Sequence, residues 1–254
     1  MPIKYFRSLA GRDRTQLGNR RLGYSLTFIA GAANAGGFLA VAQYTSHMTG
    51  IVSAMADHIA IGEYLLVLSG MGGLLSFIGG AACSAMMINF ARRRKLNSEY
   101  ALPLLLEAAM LLFFGILGAR LAHVGGLLGP VTVMLLCFIM GLQNAVISKI
   151  SHAEIRTTHI TGMVTDFGIE LGKLAYWNAP QAAAEGTREK VTADRNRLRV
   201  LGLMVMFFFV GGLIGALGFR YIGFASTIPL AFALVLLAII PATDDIVERM
   251  RRKH

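Results

Sequence analysis

Six long apolar segments alternate with polar ones along the chain. Each holds about 20 mostly apolar residues, which is the length that an α-helix needs to cross the ~30 Å hydrocarbon core of a bilayer. The segments predict six transmembrane helices, over residues 22–44, 64–90, 101–123, 127–150, 198–219 and 223–241. The second and fifth are rich in glycine, and small residues let helix backbones approach closely in lipid. We therefore expect these two helices to pack inside the bundle.

Two shorter apolar segments interrupt this pattern, one after the first long segment and one after the fourth. They read IVSAMADHIAIGE (51–63) and MVTDFGIELGK (163–173), and both are too short to span. Each follows a similar phrase, TSHMTG and TTHITG. Threonine is a good N-cap, so the pattern predicts short helices that begin at Thr49 and Thr161 and end at Gly62 and Gly172. A short helix beside a full span is typical of a broken or re-entrant segment.

The two halves of the chain resemble one another. FIAGAANA (28–35) matches FIMGLQNA (138–145), HMTGIVS (47–53) matches HITGMVT (159–165), and FIGGA (77–81) resembles FVGGL (209–213). Because each unit has an odd number of spans, a second copy must enter the membrane from the opposite face. The sequence predicts an all-α membrane protein of two inverted three-helix repeats, residues 22–123 and 124–241. A duplication that is kept only for its packing, without transport, is the alternative.

Composition agrees with a membrane protein. Of the 254 residues, 55% are hydrophobic and 15% are charged, and the mean hydropathy is +0.60. A soluble domain carries about a quarter charged residues, so this chain lacks the polar surface of a water-soluble globule. Cys83 and Cys137 both fall within apolar segments and are interpreted as small buried hydrophobic residues, without a disulfide framework or a zinc pattern.

Positive charge is concentrated in four polar regions. Residues 1–21, 92–95, 149–199 and the tail 242–254 together hold 22 of the 24 Lys and Arg residues. With six spans these regions share one face, which the positive-inside rule assigns to the cytoplasm together with both termini. The linker of about residues 174–197 lies there too and is predicted to be partly helical. Anionic lipid is a sufficient partner for the net charge of +10, so nucleic-acid binding is not expected.

The two short helices predict a binding site. A helix N-terminus carries unpaired N–H groups and a partial positive charge, and anions bind there readily. In an inverted repeat the two N-termini would face each other and hold one small polar or anionic solute. The residues expected to bind it come in matched sets from the two halves: Asn34, His47, Thr49, Gly50, Asn144, His159, Thr161 and Gly162. For the two asparagines a hydrogen bond between helices is the favoured alternative, and both motifs also fit positions among the lipid headgroups.

Three side chains are candidates for proton coupling. An imidazole titrates near neutral pH, which suits His47 and His159. Glu107 is a carboxylate within the third apolar segment, where an ionisable residue faces a cavity or a partner unless it reaches back to the cytoplasmic face. The short helices carry three further carboxylates that fit either ion ligands or solvated faces: Asp57, Asp166 and Glu170.

No signature of a soluble enzyme is present in the sequence. It has no HExxH, GxSxG, P-loop or Cys-x-x-Cys motif, so neither catalysis nor a cofactor is expected. A metal site is not expected either, because the predicted topology starts His159 on the opposite face from His47, His58 and His123.

These features together resemble the YoaK family of bacterial multi-pass membrane proteins. The resemblance covers about residues 22–241, and His47, Thr49 and Gly50 match its motif directly. It implies a location in the bacterial inner membrane and little about a substrate. The sequence favours a secondary transporter of a small polar or anionic solute, with proton coupling as an option. A passive channel and a structural or enzymatic membrane protein are the alternatives, and the glycine-rich faces leave a homodimer open.

Overall fold

The computed structural model of the protein describes residues 16–96, 98–121, 128–150, 160–176 and 191–251. Within these ranges the chain is helical apart from short turns and connections. The helices are α1 (Gln16–Val41), α2 (Met48–Ile61), α3 (Tyr64–Arg93), α4 (Ala101–Leu121), α5 (Leu128–Ile150), α6 (Ile160–Ala175), α7 (Arg195–Ile222), a 3₁₀ turn (Gly223–Ser226) and α8 (Thr227–Arg251).

Five helical stretches of the described chain are long and apolar enough to cross a membrane. Four of them correspond to α1, α3, α4 and α5, and the fifth, Arg195–Ile239, runs through the 3₁₀ turn into α8. The helix α2 is apolar but has only 14 residues. The prediction of an all-helical membrane protein is therefore confirmed, although α1 and α8 extend further into the basic flanks than the apolar pattern predicted.

The chain reverses direction between α7 and α8. Gly223 has φ +70° and ψ −146°, a backbone conformation that side chains oppose and glycine adopts freely. A Cβ placed on Gly218 would lie 3.0 Å from the Ser226 hydroxyl. Eight residues of continuous helix would separate these positions by about 12 Å, so α7 and α8 are two distinct helices.

Helices α1 and α7 form a tightly packed parallel pair. A Cβ on Gly31 would overlap the backbone carbonyl of Phe208, and a Cβ on Gly211 would overlap that of Phe28. Contacts advance in the same direction along both helices, from Gly23 with Met204 to Gly36 with Phe219. Glycine is required at these positions because the two backbones themselves are in contact.

Helices α3 and α5 pack in the same way. Gly80 lies against the backbone of Phe138, and Gly141 lies against that of Phe77. Gly72 meets Met134 further towards the start of both helices, so this pair is parallel as well. A third pair joins α4 to α8, where Gly115 lies against Thr227.

The centre of the bundle is the contact between α1 and α5. The Gln143 Nε2 donates a buried hydrogen bond to the Leu26 carbonyl at 3.3 Å, and Gly37 meets Leu136, so the two helices are antiparallel. More than half of the apolar stretch is buried in α1 and in α5, whereas only 17% of the apolar stretch of α3 is buried. The prediction that the glycine-rich helices lie inside is therefore wrong in part. Their glycine faces are buried, but the rest of α3 and α7 forms the outside of the bundle.

Candidate functional site

The chain folds back on itself after α1. The backbone N–H and the hydroxyl of Ser46 both donate to the Asn34 Oδ1, at 3.3 and 2.8 Å. Asn34 lies about two turns before the end of α1, and Ala42, with φ +53°, begins the reversal. The side chain of Asn34 therefore holds the start of α2 beside the interior of α1 rather than beyond its end.

The first turn of α2 contacts the bundle through Ile51, which is buried. Ile51 packs against Val133 and Cys137, which is near the middle of α5, together with Phe77 of α3. From there α2 runs antiparallel to α3, and Gly62, with φ +80°, closes the turn between them as the sequence predicted. The helix thus begins near mid-height and returns to the end at which α1 finishes.

A cavity of about 440 Å³ extends from the start of α2 along that helix, between the end of α1 and the first turns of α3. His47 and His58 both line it, together with Gly50. The rings of Phe38 and Tyr44 stack at its wall with centroids 4.4 Å apart. The Nδ1 of His58 is buried and has no hydrogen-bond partner in the described part of the chain. The cavity therefore presents two imidazoles and a helix N-terminus to whatever occupies it.

The local role of the His-x-Thr-Gly motif differs from the predicted one. Helix α2 begins at Met48, so His47 occupies the N-cap position, and its side chain makes no capping hydrogen bond. The prediction that Thr49 caps the helix is wrong, because Thr49 already lies within the first turn and is exposed. The His47 ring lies against Gly50, where a Cβ would overlap the imidazole unless the exposed ring moved aside. The N–H groups of the first turn receive no capping hydrogen bond from the His47 side chain.

Only the last residues of the second motif, TTHITG, lie in the described part of the chain. His159 lies outside the described residues, and α6 begins immediately after it at Ile160. Thr161 and Gly162 are exposed residues of the first turn, so Thr161 is not the cap either. The prediction that Gly172 ends the helix is wrong, since the helix continues to Ala175. The helix α6 runs antiparallel to α7, with Phe167 against Gly202.

The structure brings together some of the predicted binding residues and separates others. His47 and Gly50 line the cavity, and Asn34 holds the loop that leads to it, so its observed bond is to a loop residue and not between two helices. Asn144 lies in a different cavity, between α3 and α5, and its Oδ1 is buried without a partner among the described residues. The two motifs therefore do not line one common cavity in the part of the chain that the structure describes.

Residues 22–240 match the model of a protein family described as of unknown function, DUF1275. The chain belongs to the DUF1275 family. The resemblance to YoaK proteins is confirmed, since YoaK-like families belong to DUF1275. No curated protein and no solved structure matches the chain. The chemistry of this DUF1275 protein must therefore be argued from its own geometry.

Glu107 of the DUF1275 protein is fully buried within α4. Neither carboxyl oxygen has a hydrogen-bond partner in the described residues, and Leu104, Ala108 and Leu111 around it on the helix are buried as well. The alternative that Glu107 reaches back to the membrane surface is wrong, because its side chain has no exposed area. A buried carboxyl without a partner is stable only in its neutral form or with a cation nearby, so Glu107 is suited to binding a proton.

The carboxylates of α6 are bound in ion pairs. Glu170 is buried and accepts from the Lys173 Nζ at 2.9 Å and from the Asp194 backbone N–H at 2.9 Å. Arg197 pairs with Asp166 at 3.0 Å and lies 3.9 Å from Glu170. These contacts attach α6 to the start of α7. Asp166 and Glu170 therefore have a structural role, because their carboxylates hold the two helices together. On α2, Asp57 is exposed. Among the described residues no three His, Cys, Asp or Glu side chains gather as metal ligands.

Acidification is expected to release α6 from α7. The hydrogen bond from Lys173, followed by that from the Asp194 amide, lowers the pKa of Glu170 below its ordinary value of 4.5. A lowered carboxyl pKa stabilises the folded state above the unfolded pKa, and this stabilisation is lost as the pH falls through the folded value. Protection of the α6 amides from hydrogen exchange, measured relative to the intrinsic rate at each pH, should therefore fall below about pH 4.5 and stay high at neutral pH.

The Glu170→Gln variant is the control for this pH effect, because it has no carboxylate to protonate. Its α6 amides should be less protected than those of the wild type at neutral pH, and their protection should not change on acidification. If the protection of wild-type α6 stays constant down to about pH 3, the attachment of α6 does not depend on Glu170.

His58 is the cavity residue that the sequence analysis missed as a binding residue. It lies eleven residues after His47, which is three helical turns, so both imidazoles fall on the same face of α2. That spacing is visible in the sequence, but the second half has no histidine at the position that corresponds to His58, so the repeat does not mark it. Phe38 and Tyr44 carried no comparable signal, since their stacking depends on the reversal of the chain after α1.

Proposed function

We propose that the protein consists of two three-helix units inserted in the membrane in opposite directions, with six spans in all. The packing of the helices supports this division. Each unit places its first span against the second span of the other unit, as α1 with α7 and α3 with α5, and the third spans α4 and α8 pair with each other. The first spans, α1 and α5, are antiparallel, which is the relation that an inverted repeat requires.

The glycine contacts support the same correspondence and correct one detail of the alignment. Gly31 meets Phe208 as Gly141 meets Phe77, and Gly211 meets Phe28 as Gly80 meets Phe138. The equivalent positions are therefore Phe77 with Phe208 and Gly80 with Gly211. The alignment of FIGGA with FVGGL is one residue out of register, because a run of three phenylalanines precedes the second glycine pair.

The short helices fit the two units as re-entrant segments. Helix α2 starts near mid-height beside α3, and α6 starts beside Met204 of α7 and runs back to the Asp194 end of that helix. Because α3 and α7 belong to units of opposite direction, α2 and α6 extend to opposite faces. The excess of Lys and Arg assigns the face of α6 and of both termini to the cytoplasm, and the YoaK-like family suggests the bacterial inner membrane.

We infer that this architecture carries a small polar or anionic solute as a secondary transporter. The observation that supports it most is the cavity along α2, which His47 and Gly50 line near the helix N-terminus and His58 lines about three turns further along the helix. Anions bind at helix N-termini, and transporters built from inverted repeats place their sites at broken helices near the midplane. Glu107, buried without a partner in the described chain, supplies a proton-binding group for coupling.

Flux measurements in proteoliposomes test this proposal. Purified protein is reconstituted and offered a panel of small carboxylates, nitrate and phosphate, with and without an imposed pH gradient. A transporter gives saturable flux that an opposing solute or proton gradient drives, whereas a channel gives fast flux that does not saturate. Absence of flux across the whole panel would favour a structural or enzymatic role and contradict transport.

A further inference from the structure

A second cavity of about 620 Å³ lies between α3 and α5, away from the start of α2. It is open towards the outside of the bundle, and we refer to it as the α3–α5 groove. One end is apolar, and the other is polar and basic. Its apolar end is formed by Phe77, Ala81 and Gly141, and its polar end by Asn144, Ser148, Lys149 and Arg92.

The length of the groove matches one leaflet of a bilayer. Gly141 lies near the middle of α5, and Lys149 is at its last turn, about 12 Å further along the helix axis. Half of a ~30 Å hydrocarbon core is about 15 Å, so the groove extends from near the bilayer midplane to the headgroup level. The groove changes from apolar to basic along its length. A phospholipid changes in the same order, from its apolar acyl chain to its negatively charged phosphate.

The basic end of the groove is organised by contacts between three helices. The Arg92 Nη2 donates to the Tyr100 hydroxyl at 3.0 Å, and its Nε donates to Glu99 at 3.0 Å. The Tyr100 hydroxyl in turn donates to the Lys149 carbonyl at 3.4 Å, which ties the connection before α4 to the end of α5. Arg92 is thus held in place, while the Lys149 side chain is exposed at the groove.

We propose that the α3–α5 groove is a specific binding site for an anionic phospholipid of the leaflet at the basic ends of α3 and α5. Lys149 and Arg92 bind the phosphate, and the Ser148 hydroxyl donates to the ester region next to it. One acyl chain lies along the apolar end between Phe77 and Gly141. A free anion fits less well, because half of the groove offers it only apolar surface.

Competition between lipids in detergent tests this site. The full-length protein is titrated with equal amounts of phosphatidylglycerol and phosphatidylcholine, and retained lipid is counted by native mass spectrometry. Lys149→Gln should weaken retention of phosphatidylglycerol about fivefold, the effect of one basic residue near a lipid surface. Arg93→Gln is the matched control, because it also removes one positive charge, from the adjacent end of the parallel helix α3, without lining the groove, and its retention of phosphatidylglycerol should equal that of the wild type.

A second variant distinguishes lipid from free phosphate. Ala145→Leu fills part of the groove between its two ends and should lower retention of phosphatidylglycerol while leaving the protein's melting temperature unchanged. If Lys149→Gln and Arg93→Gln lose the same amount of bound phosphatidylglycerol, the lipid is attracted by the general surface charge of the protein. That result would overturn the proposal. Retention that survives Lys149→Gln, or phosphatidylglycerol that is displaced by millimolar inorganic phosphate, would overturn it as well.

Discussion

Replacement of Gly31 by alanine is expected to separate α1 from α7 and to destabilise the protein severely. A Cβ at this position would overlap the carbonyl carbon and oxygen of Phe208, which are backbone atoms that no rotamer change can move. Overpacking costs about 1–3 kcal/mol in ordinary cores, and we expect the upper end of that range or more here. The measurement is the unfolding midpoint of purified protein in detergent, by heat or by sodium dodecyl sulfate.

Gly168→Ala is a control that should not lower the unfolding midpoint. Gly168 lies on the exposed side of α6, and a Cβ there would meet no atom within 4 Å. Gly168→Ala should leave the midpoint unchanged or raise it slightly, because alanine favours a helix over glycine by up to about 1 kcal/mol. Gly141→Ala should lower the midpoint as Gly31→Ala does. A wild-type midpoint for Gly31→Ala would contradict the contact between the two backbones.

Replacement of His47 by alanine is expected to reduce flux at least tenfold while the protein still folds. The His47 side chain is exposed, makes no capping hydrogen bond and lines the cavity, so its loss leaves the packing of α2 through Ile51 intact. A solute bound at the start of α2 would lose the imidazole of His47, and a hydrogen bond to a charged group contributes about 1.5–3 kcal/mol. Flux is measured in proteoliposomes with whichever solute of the panel the wild type moves.

Asp57→Asn is the matched control for the histidine variant. Asp57 is an exposed polar residue of the same helix and does not line the cavity, so its flux should equal that of the wild type. His58→Ala should reduce flux in the same way as His47→Ala. If His47→Ala and His58→Ala both transport at the wild-type rate with unchanged melting temperature, the cavity at the start of α2 is not the transport site.

The apolar pattern predicted the helices well because burial in lipid leaves few alternatives. About 20 apolar residues must form a helix where backbone groups find no water, so the segments at 64–90, 101–123 and 127–150 correspond closely to α3, α4 and α5. Gly62 was also predicted correctly, since a two-residue turn between α2 and α3 needs a residue with positive φ. Length and glycine chemistry are local properties, and local properties can be read from sequence.

The arrangement of the helices and the candidate site depended on contacts between distant residues. Glycine in α3 and α7 indicated close packing, but it did not reveal that only one face of each helix is buried. The motif suggested that Thr49 caps α2, whereas the bond from Ser46 to Asn34 fixes the start of that helix at Met48. The burial of Glu107 likewise depends on how α4 packs against other helices, which its own sequence does not contain.

The central claim is that the two halves of the chain are inserted in opposite directions, so that α2 and α6 extend to opposite faces of the membrane. Ile61 and Tyr176 lie at the outer ends of these helices and are both exposed. After Cys83 and Cys137 are replaced by alanine, Ile61→Cys and Tyr176→Cys are treated separately in intact cells with a membrane-impermeant thiol reagent. We predict that Ile61→Cys is labelled from outside and that Tyr176→Cys reacts only after permeabilisation. Labelling of both positions from the same side would contradict the claim.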